Sequence, residues 1–328
     1  MTSKPPHAAP LGRVRIGVSA CLLGHEVRFD GGHKRDCLLI DTFSPFVEWV
    51  PVCPEVELGM GVPREPVRLE QAADGLRLVA SQSTRDWTLP MRRFAARRVH
   101  ALKALELSGY VLKQDSPSCG MERVRVYVHA GDRSRPRREG RGLFAHALIA
   151  ANPLLPVEEE GRLWSPRVRE GFVARILAYH RLRGFFAGRW SRAGLVAFHT
   201  SHRFTLRAHS PRGARRLDRL IAQAKEFSRP ELRARYETEF MGTVSTPTTI
   251  RRHADVLAQI VGLFRARVDA SSRAELFGLI GEYRRGQVPL TAPITRIRHQ
   301  VLLHRLSDLE GQTYLEPDPE AWPLPSRV

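Results

Sequence analysis

Short apolar runs of strand type alternate with helical periodicity through the first half of this 328-residue chain, and beyond about residue 157 the strand signals stop. No other feature constrains the fold as much. Strands separated by helices imply a largely parallel sheet, since parallel neighbours need a crossover between them. Residues 14–20 read as a buried strand, 49–53 as a second apolar run, 76–80 as a weaker alternation and 110–112 as a further strand. Met91, Phe94, Ala95, Val99, Leu102 and Leu105 recur at helical spacing, which predicts an amphipathic helix over 89–107 stopped by Gly109. Another helix is expected over 141–151, ended by Asn152-Pro153.

The acidic run Val157-Glu158-Glu159-Glu160-Gly161 reads as charged punctuation between two domains. After it, apolar residues fall on helical faces: Phe172, Ile176, Leu177 and Tyr179, then Leu217, Leu220, Ile221 and Ala224, then Val256, Leu257, Ile260, Val261 and Phe264, then Leu276, Leu279 and Ile280. Pro211, Pro230, Pro247, Pro289 and Pro293 fit helix starts or breaks. The expected architecture is an α/β amino-terminal domain with a largely parallel sheet over 13–157, followed by a mainly α-helical domain over 168–328. Residues 1–12, with three prolines, read as a disordered tail, and a proline-rich extended end begins at Glu316.

Composition narrows the setting. Four cysteines are too few for a disulfide scaffold, no secretory segment opens the chain, and no apolar run approaches the ~20 residues of a membrane span. A cytoplasmic, reducing location is expected, where thiols stay available to metals. The formal charge is +18, from 52 Lys+Arg against 34 Asp+Glu. Between His202 and Arg235 stand ten basic residues, Arg212, Arg215, Arg216 and Arg219 among them, against three acidic ones. Solvated helix surface accounts for such a run. An RNA- or DNA-contacting face accounts for it as well.

Cys21, Cys53 and Cys119 each close a short apolar run at a break in the chain, beside Gly24, Pro54 and Gly120. In an α/β domain the carboxyl ends of strands are where ligands gather. The cysteines lack the Cys-x-x-Cys spacing of zinc sites and the close spacing of ferredoxins, so spacing alone leaves both a three-thiol metal site and scattered buried thiols open. Cys37 stands at the expected opening of a helix and reads as a structural thiol. Glu55 follows Cys53 by two residues, and Ser116 and Ser118 precede Cys119. Glu55 can move protons or sit as a loop carboxylate; Ser116 can assist a substrate or cap the N–H groups of its own turn. Asp30-Gly31-Gly32-His33 is a turn with weak phosphate-loop character, and His199, His202 and His209 lack a nearby acid to complete a metal set.

These segments, taken in order, resemble a known family. Ser19-Ala20-Cys21-Leu22-Leu23-Gly24, Arg28-Phe29-Asp30-Gly31-Gly32, Val52-Cys53-Pro54-Glu55 and Gln114-Asp115-Ser116-Pro117-Ser118-Cys119-Gly120 resemble the DUF523 family, which includes the thiouracil desulfurases. Phe198-His199-Thr200-Ser201-His202, Ala208-His209-Ser210-Pro211 and Gln312-Thr313-Tyr314-Leu315-Glu316-Pro317 resemble the DUF1722, or YbgA, domain. The resemblance implies a 4Fe-4S cluster held by Cys21, Cys53 and Cys119, with one iron open to the sulfur of a small thiolated pyrimidine. It implies a non-redox, hydrolytic desulfuration in which Glu55 handles protons, Ser116 assists the substrate, and Cys37 takes no part. Two other readings stay open: a nucleic-acid-binding protein acting on thiolated nucleosides within RNA, and a regulatory or interaction module in which the cluster is structural.

Overall fold

The computed structural model describes residues 13–73, 75–128, 136–264 and 267–316. The tail expected at 1–12 and the end expected beyond Glu316 lie outside the described residues. The chain divides into two compact units between His180 and Arg181.

In the first unit, strands β1 (Val14–Ser19), β2 (Val47–Val52), β5 (Gly109–Leu112) and β8 (Val157–Glu159) form a sheet in the order β2-β1-β5-β8, with every pair parallel. Strands β3 (Val67–Ala72), β4 (Gly75–Ala80), β6 (Val124–Tyr127) and β7 (Arg137–Gly140) form a second sheet, β4-β3-β6-β7, in which only β3 and β6 run parallel. Helices α1 (Pro54–Glu57), α2 (Thr88–Lys103) and α3 (Leu143–Ala151) lie between these strands, and α4 (Glu160–Leu163) and α5 (Pro166–Ala187) follow the last of them.

The central strand β1 reads as a nearly continuous apolar run because both its faces are covered; Ile16 and Val18 are wholly buried. Its neighbour β5 is buried at all four residues. Gly17 lets the two strands share this space, because the Tyr110 ring occupies the volume a Cβ would need. α2 buries Met91, Phe94, Ala95, Val99 and Leu102, the face its periodicity marked, against Phe144, Ala145 and Leu148 of α3. It ends at Lys103 rather than residue 107. Glu106 turns the chain at φ +53°, which aims Leu107 into the core ahead of β5.

The acidic run at 157–161 is not punctuation. It is β8, the fourth strand of the parallel sheet, passing directly into α4. Glu158, Glu159 and Glu160 are all buried, and every one of them has partners. Charge suggested exposure, but the hydrogen-bonding capacity of three carboxylates is consumed internally instead.

The second unit contains α6 (Arg192–His209), α7 (Pro211–Ala222), α8 (Arg229–Val244), α9 (Ile250–Gly262), α10 (Ala270–Arg284) and α11 (Thr291–Leu303), with no strand among the described residues. Five of these helices open on a side-chain cap: Ser191, Ser210, Ser228, Thr249 and Asp269 each accept the N–H three residues on. Pro211 and Pro230 occupy first-turn positions, where no donor is lost. Phe204, Leu257, Ile260, Phe264 and Ile297 form one core. A separate aromatic group joins Phe185, Phe198, His202, Tyr236 and Phe240, with Phe198 and His202 centroids 4.2 Å apart. No helix among the described residues is long and apolar enough to cross a membrane.

Gly17→Ala forces a methyl group into the Tyr110 ring, and the fully buried ring has no room to yield. The expected loss is about 1–3 kcal/mol of stability, read as a lower denaturant midpoint at unchanged slope.

Candidate active site

The sheet order brings the sequence motifs together. From β1 the chain crosses to β2 on one side, and from β5 to β8 on the other, so the order reverses between β1 and β5. In open parallel sheets the crevice for a ligand lies at the carboxyl ends of the strands beside such a reversal. β1 ends at Ser19 and turns through Ala20–Leu23, a short 3-10 helix that carries Cys21 and is closed by Gly24 at φ +94°. β2 ends at Val52, paired with Ser19, so Cys53 follows at the same level. Cys53 is the residue before α1, Pro54 begins that helix, and Glu55 stands in its first turn. β5 ends at Leu112 and leads into the loop that carries Ser116, Ser118 and Cys119.

Backbone hydrogen bonds fix this loop. Ser116 Oγ accepts the N–H groups of Ser118 at 3.3 Å and Cys119 at 3.0 Å, and the Ser116 carbonyl accepts Gly120 N–H at 2.7 Å. The first turn of α3 donates into the loop as well: Leu143 N–H reaches the Pro117 carbonyl at 3.2 Å, and Phe144 N–H reaches that of Ser118 at 3.0 Å. These are donors that a helix start leaves without intrahelical partners. Gly142 permits the approach, because a Cβ there would stand 2.8 Å from Cys119 N.

Glu55 is held at both oxygens. Oε2 takes two donors from Arg64, Nε at 2.9 Å and Nη2 at 2.5 Å, and Oε1 accepts the Ser118 hydroxyl at 2.8 Å. Arg64 is itself buried and also donates to the carbonyls of Gly61 and Val27. The Cys53 thiol lies 3.8 Å from that same Val27 carbonyl. Both guanidinium donors converge on one oxygen, so Arg64 fixes Oε2 with a charge-assisted pair while Ser118 fixes Oε1.

The three thiols sense one another. Burial pushes Cys21 up to about 11, and the nearby Cys53 adds to the rise, while Lys113 and Arg28 oppose it. Burial raises Cys119 well above the usual thiol range; Ser19 lowers it through a hydrogen bond, and Glu55, Cys53 and Cys21 raise it further. Burial also raises Cys53, which is half-buried. Cys37 is exposed and stands at the head of a separate helical turn, Leu38–Phe43.

Among the described residues, no group of three His, Cys, Asp or Glu converges as a single-ion site would require. A lone tetrahedral metal draws each thiolate to about 2.3 Å from one point. A cluster of several irons takes each thiolate on a different metal, so thiols spread over three strand ends suit it, and thiolate is its usual ligand. Three thiols with Lys113, Arg28 and Arg64 nearby are a donor set of the kind an iron–sulfur cluster takes.

The structure separates the two serines. Ser116 uses its oxygen as the turn acceptor, while wholly buried Ser118 is the residue that touches Glu55. Sequence reasoning missed Arg64, Ser19 and Lys113. Arg64 lies in a turn-rich stretch where an arginine carries no periodic signal. Ser19 opens the Cys21 motif, where no local signal singles it out for a role of its own, and its Oγ accepts Lys113 N–H at 3.0 Å. The Asp30 carboxylate caps its own turn through Gly32 N–H at 3.1 Å, and His33 accepts Arg35 N–H.

In the helical unit the histidines serve other contacts. His199 bonds Asp218 at 2.9 Å and Tyr236 at 3.3 Å, His209 bonds the Thr246 carbonyl at 2.8 Å, and His202 lies among aromatic rings, where burial lowers it to about 3. A cleft of about 540 Å³ is lined by Arg212, Arg215, Arg216, Asp218 and Arg219. Of these arginines, Arg216 pairs with Glu239.

Known proteins are similar to each part of the chain. A family model described as 2-thiouracil desulfurase matches residues 16–160, and one described as DUF1722, a protein of unknown function, matches residues 203–319. The chain is 31% identical over 158 residues to the uncharacterized protein YbgA of Escherichia coli (strain K12), spanning 48% of this chain and 91% of that one. It is 30% identical over 153 residues to the uncharacterized protein YbbK of Bacillus subtilis (strain 168), spanning 44% of this chain and 96% of that one. A solved structure titled as the 4Fe-4S-dependent thiouracil desulfidase TudS is 28% identical, with a TM-score of 0.36 over 46% of this chain and 93% of its own. The chain therefore belongs to the 2-thiouracil desulfurase family through its α/β unit, joined in one polypeptide to a DUF1722 region.

Proposed function

We propose that this chain desulfurates a thiolated pyrimidine of the thiouracil type, exchanging C=S for C=O and releasing sulfide. The observation that carries the reading is the Glu55 carboxylate, fixed by Arg64 and Ser118 and within electrostatic reach of Cys53 and Cys119, with Cys21 close to both of these thiols. The family match supports it. Cys21, Cys53 and Cys119 would hold a 4Fe-4S cluster by three corners. When bound, such a cluster supplies a thiophilic, Lewis-acidic iron with one open coordination position. The net reaction adds one water and releases one hydrogen sulfide; a C–S bond breaks, a C–O bond forms, and no electron is gained or lost.

The chain's own residues supply the rest. Lys113 and Arg28 offset the charge of the Cys21 thiolate, and Arg64 that of Cys53. Glu55 Oε1 takes a proton from the attacking water and returns one to the ring or the departing sulfur. Ser118, donating to that same oxygen, holds it in place for the water. Ser116 keeps the turn closed through its oxygen and has its own hydroxyl proton to give to a ring nitrogen. Buried surroundings strengthen each of these polar contacts.

A second reading extends the substrate to a thiolated nucleoside within RNA. Its support is the α7 face, where Arg212, Arg215 and Arg219 stand beside the paired Arg216. Arginine forks suit phosphate oxygens.

Three outcomes are expected. After anaerobic reconstitution, Cys21→Ala, Cys53→Ala and Cys119→Ala each lose iron and sulfide by elemental count, and Cys37→Ala retains both; the reverse pattern at Cys37 and Cys119 defeats the ligand assignment. Glu55→Gln lowers thiouracil turnover by about 10²–10⁴-fold with the cluster absorption intact, as removal of a positioned acid–base group does. Binding to thiolated RNA, if the second reading holds, weakens linearly in log–log form with salt, and Arg212→Ala with Arg215→Ala reduces that slope by about two. A chain that binds no RNA at low salt restricts the substrate to the free base or nucleoside.

A further inference from the structure

Two buried carboxylates hold the Cys119 loop by its opposite ends. Glu160, at the start of α4, accepts Gln114 N–H through Oε2 at 2.8 Å and pairs with the Lys113 ammonium through Oε1. Lys113 Nζ also donates to the Gln114 carbonyl at 3.2 Å, which ties the strand exit together. Glu159, the last residue of β8, accepts Met121 N–H at 2.7 Å and Glu122 N–H at 3.4 Å through Oε1. Ser116, Ser118 and Cys119 lie between these anchors. Gly161 lets α4 begin against the Gln114 side chain, because a Cβ there would stand 2.7 Å from Gln114 Cδ.

Adjacent buried carboxylates are expensive to desolvate, and only hydrogen bonds or counter-charges offset the cost. Glu159 is 5% exposed and Glu160 is 6% exposed. Closing the turn does not require them, because Ser116 and the first turn of α3 already satisfy its inner backbone groups. What they add is a fixed entry and a fixed exit for the segment that carries one thiol. Glu158 is an internal comparison. It is as buried, at 4%, yet its oxygens go to Arg162 at 2.8 Å, Arg175 at 3.5 Å and the N–H of Glu159 at 3.2 Å rather than to the N–H groups of the loop.

We infer that Glu159 and Glu160 are positioning residues for Cys119, clamping both ends of its loop so that the thiol is held in place for a bound cluster. Partners in the outer layer of a metal site orient its ligands in this way, and losing one weakens retention by about 10–100-fold. The inference rests on the proposed role of Cys119 as a cluster ligand.

The test uses the full chain with two measurements, backbone amide exchange without iron and the rate of iron transfer to a chelator after anaerobic reconstitution. In the iron-free wild type, the Gln114 and Met121 amides are expected to be protected; rapid exchange at both overturns the clamp without recourse to any variant. Glu160→Ala should expose the Gln114 amide and Glu159→Ala the Met121 amide, and each should lose iron about 10–100-fold faster. Glu160→Gln and Glu159→Gln keep an accepting oxygen and should recover most of the loss. Glu158→Ala should lower the melting temperature yet leave iron release and both amides at wild-type values. Wild-type iron release and exchange in the two alanine variants defeat the inference. So does equal acceleration by Glu158→Ala, which marks general destabilisation. Cys119→Ala separates the premises: iron retained without Cys119 removes the ligand role, while amide exchange still reports on the clamp.

Discussion

Parallel pairing of β1 with both β2 and β5 is the constraint on which the site depends. It places Ser19 opposite Val52 and Val18 opposite Val111, so three strand ends finish side by side. Loops from adjacent parallel strands must emerge on the same edge, and each of these loops carries a thiol. The close approach of the strands depends on an absent side chain at Gly17, whose space is filled by Tyr110. The chemistry-bearing loops are thus brought together by backbone register, with 32 and 66 residues separating the cysteines along the chain.

Proximity creates an electrostatic problem that the structure answers locally. Three thiols in a half-dry crevice resist ionisation, and burial leads the causes that raise each of them. Lys113, Arg28 and Arg64 are the nearby cations that counter it. Arg64 does more than balance charge. It ties the Glu55 carboxylate to the carbonyl of Val27, which the Cys53 thiol also approaches, so the acid–base group and one thiol share an anchor.

The sequence was legible where one local rule decided the outcome. Val14 to Ser19 could only be a buried strand, and the Met91–Leu102 face could only be a helix packed on one side. Pro211 and Pro230 marked helix starts in the second half, as their first-turn positions bear out. Legibility failed where tertiary partners overrode a local signal. Three consecutive glutamates look solvated, yet β8 and the start of α4 bury them, where Arg162, Arg175, Lys113 and four backbone N–H groups meet them. The second sheet was mostly missed, since β7, Arg137–Gly140, is charged and largely exposed and has no apolar alternation to read. Ser116 and Ser118 were both visible, but which one meets Glu55 depends on how the turn is hydrogen-bonded, and only three-dimensional structure supplies that.

The fate of the glutamates bears on how such a site is kept specific. A loop closed only by its own hydrogen bonds can move as a rigid piece about its two ends, carrying the thiol with it. Anchoring those ends to β8 and α4 couples the loop to the edge of the parallel sheet, whose register is set by Tyr110 opposite Val157 and Leu112 opposite Glu159. The same sheet fixes Cys21 and Cys53 through β1 and β2. All three thiols are then referred to one rigid object. Polar groups buried with every bond satisfied add little net stability, but they exclude alternative arrangements, since any shift strands a carboxylate without its partners. In this fold the buried acids select one placement of the Cys119 loop among those that backbone closure alone would allow.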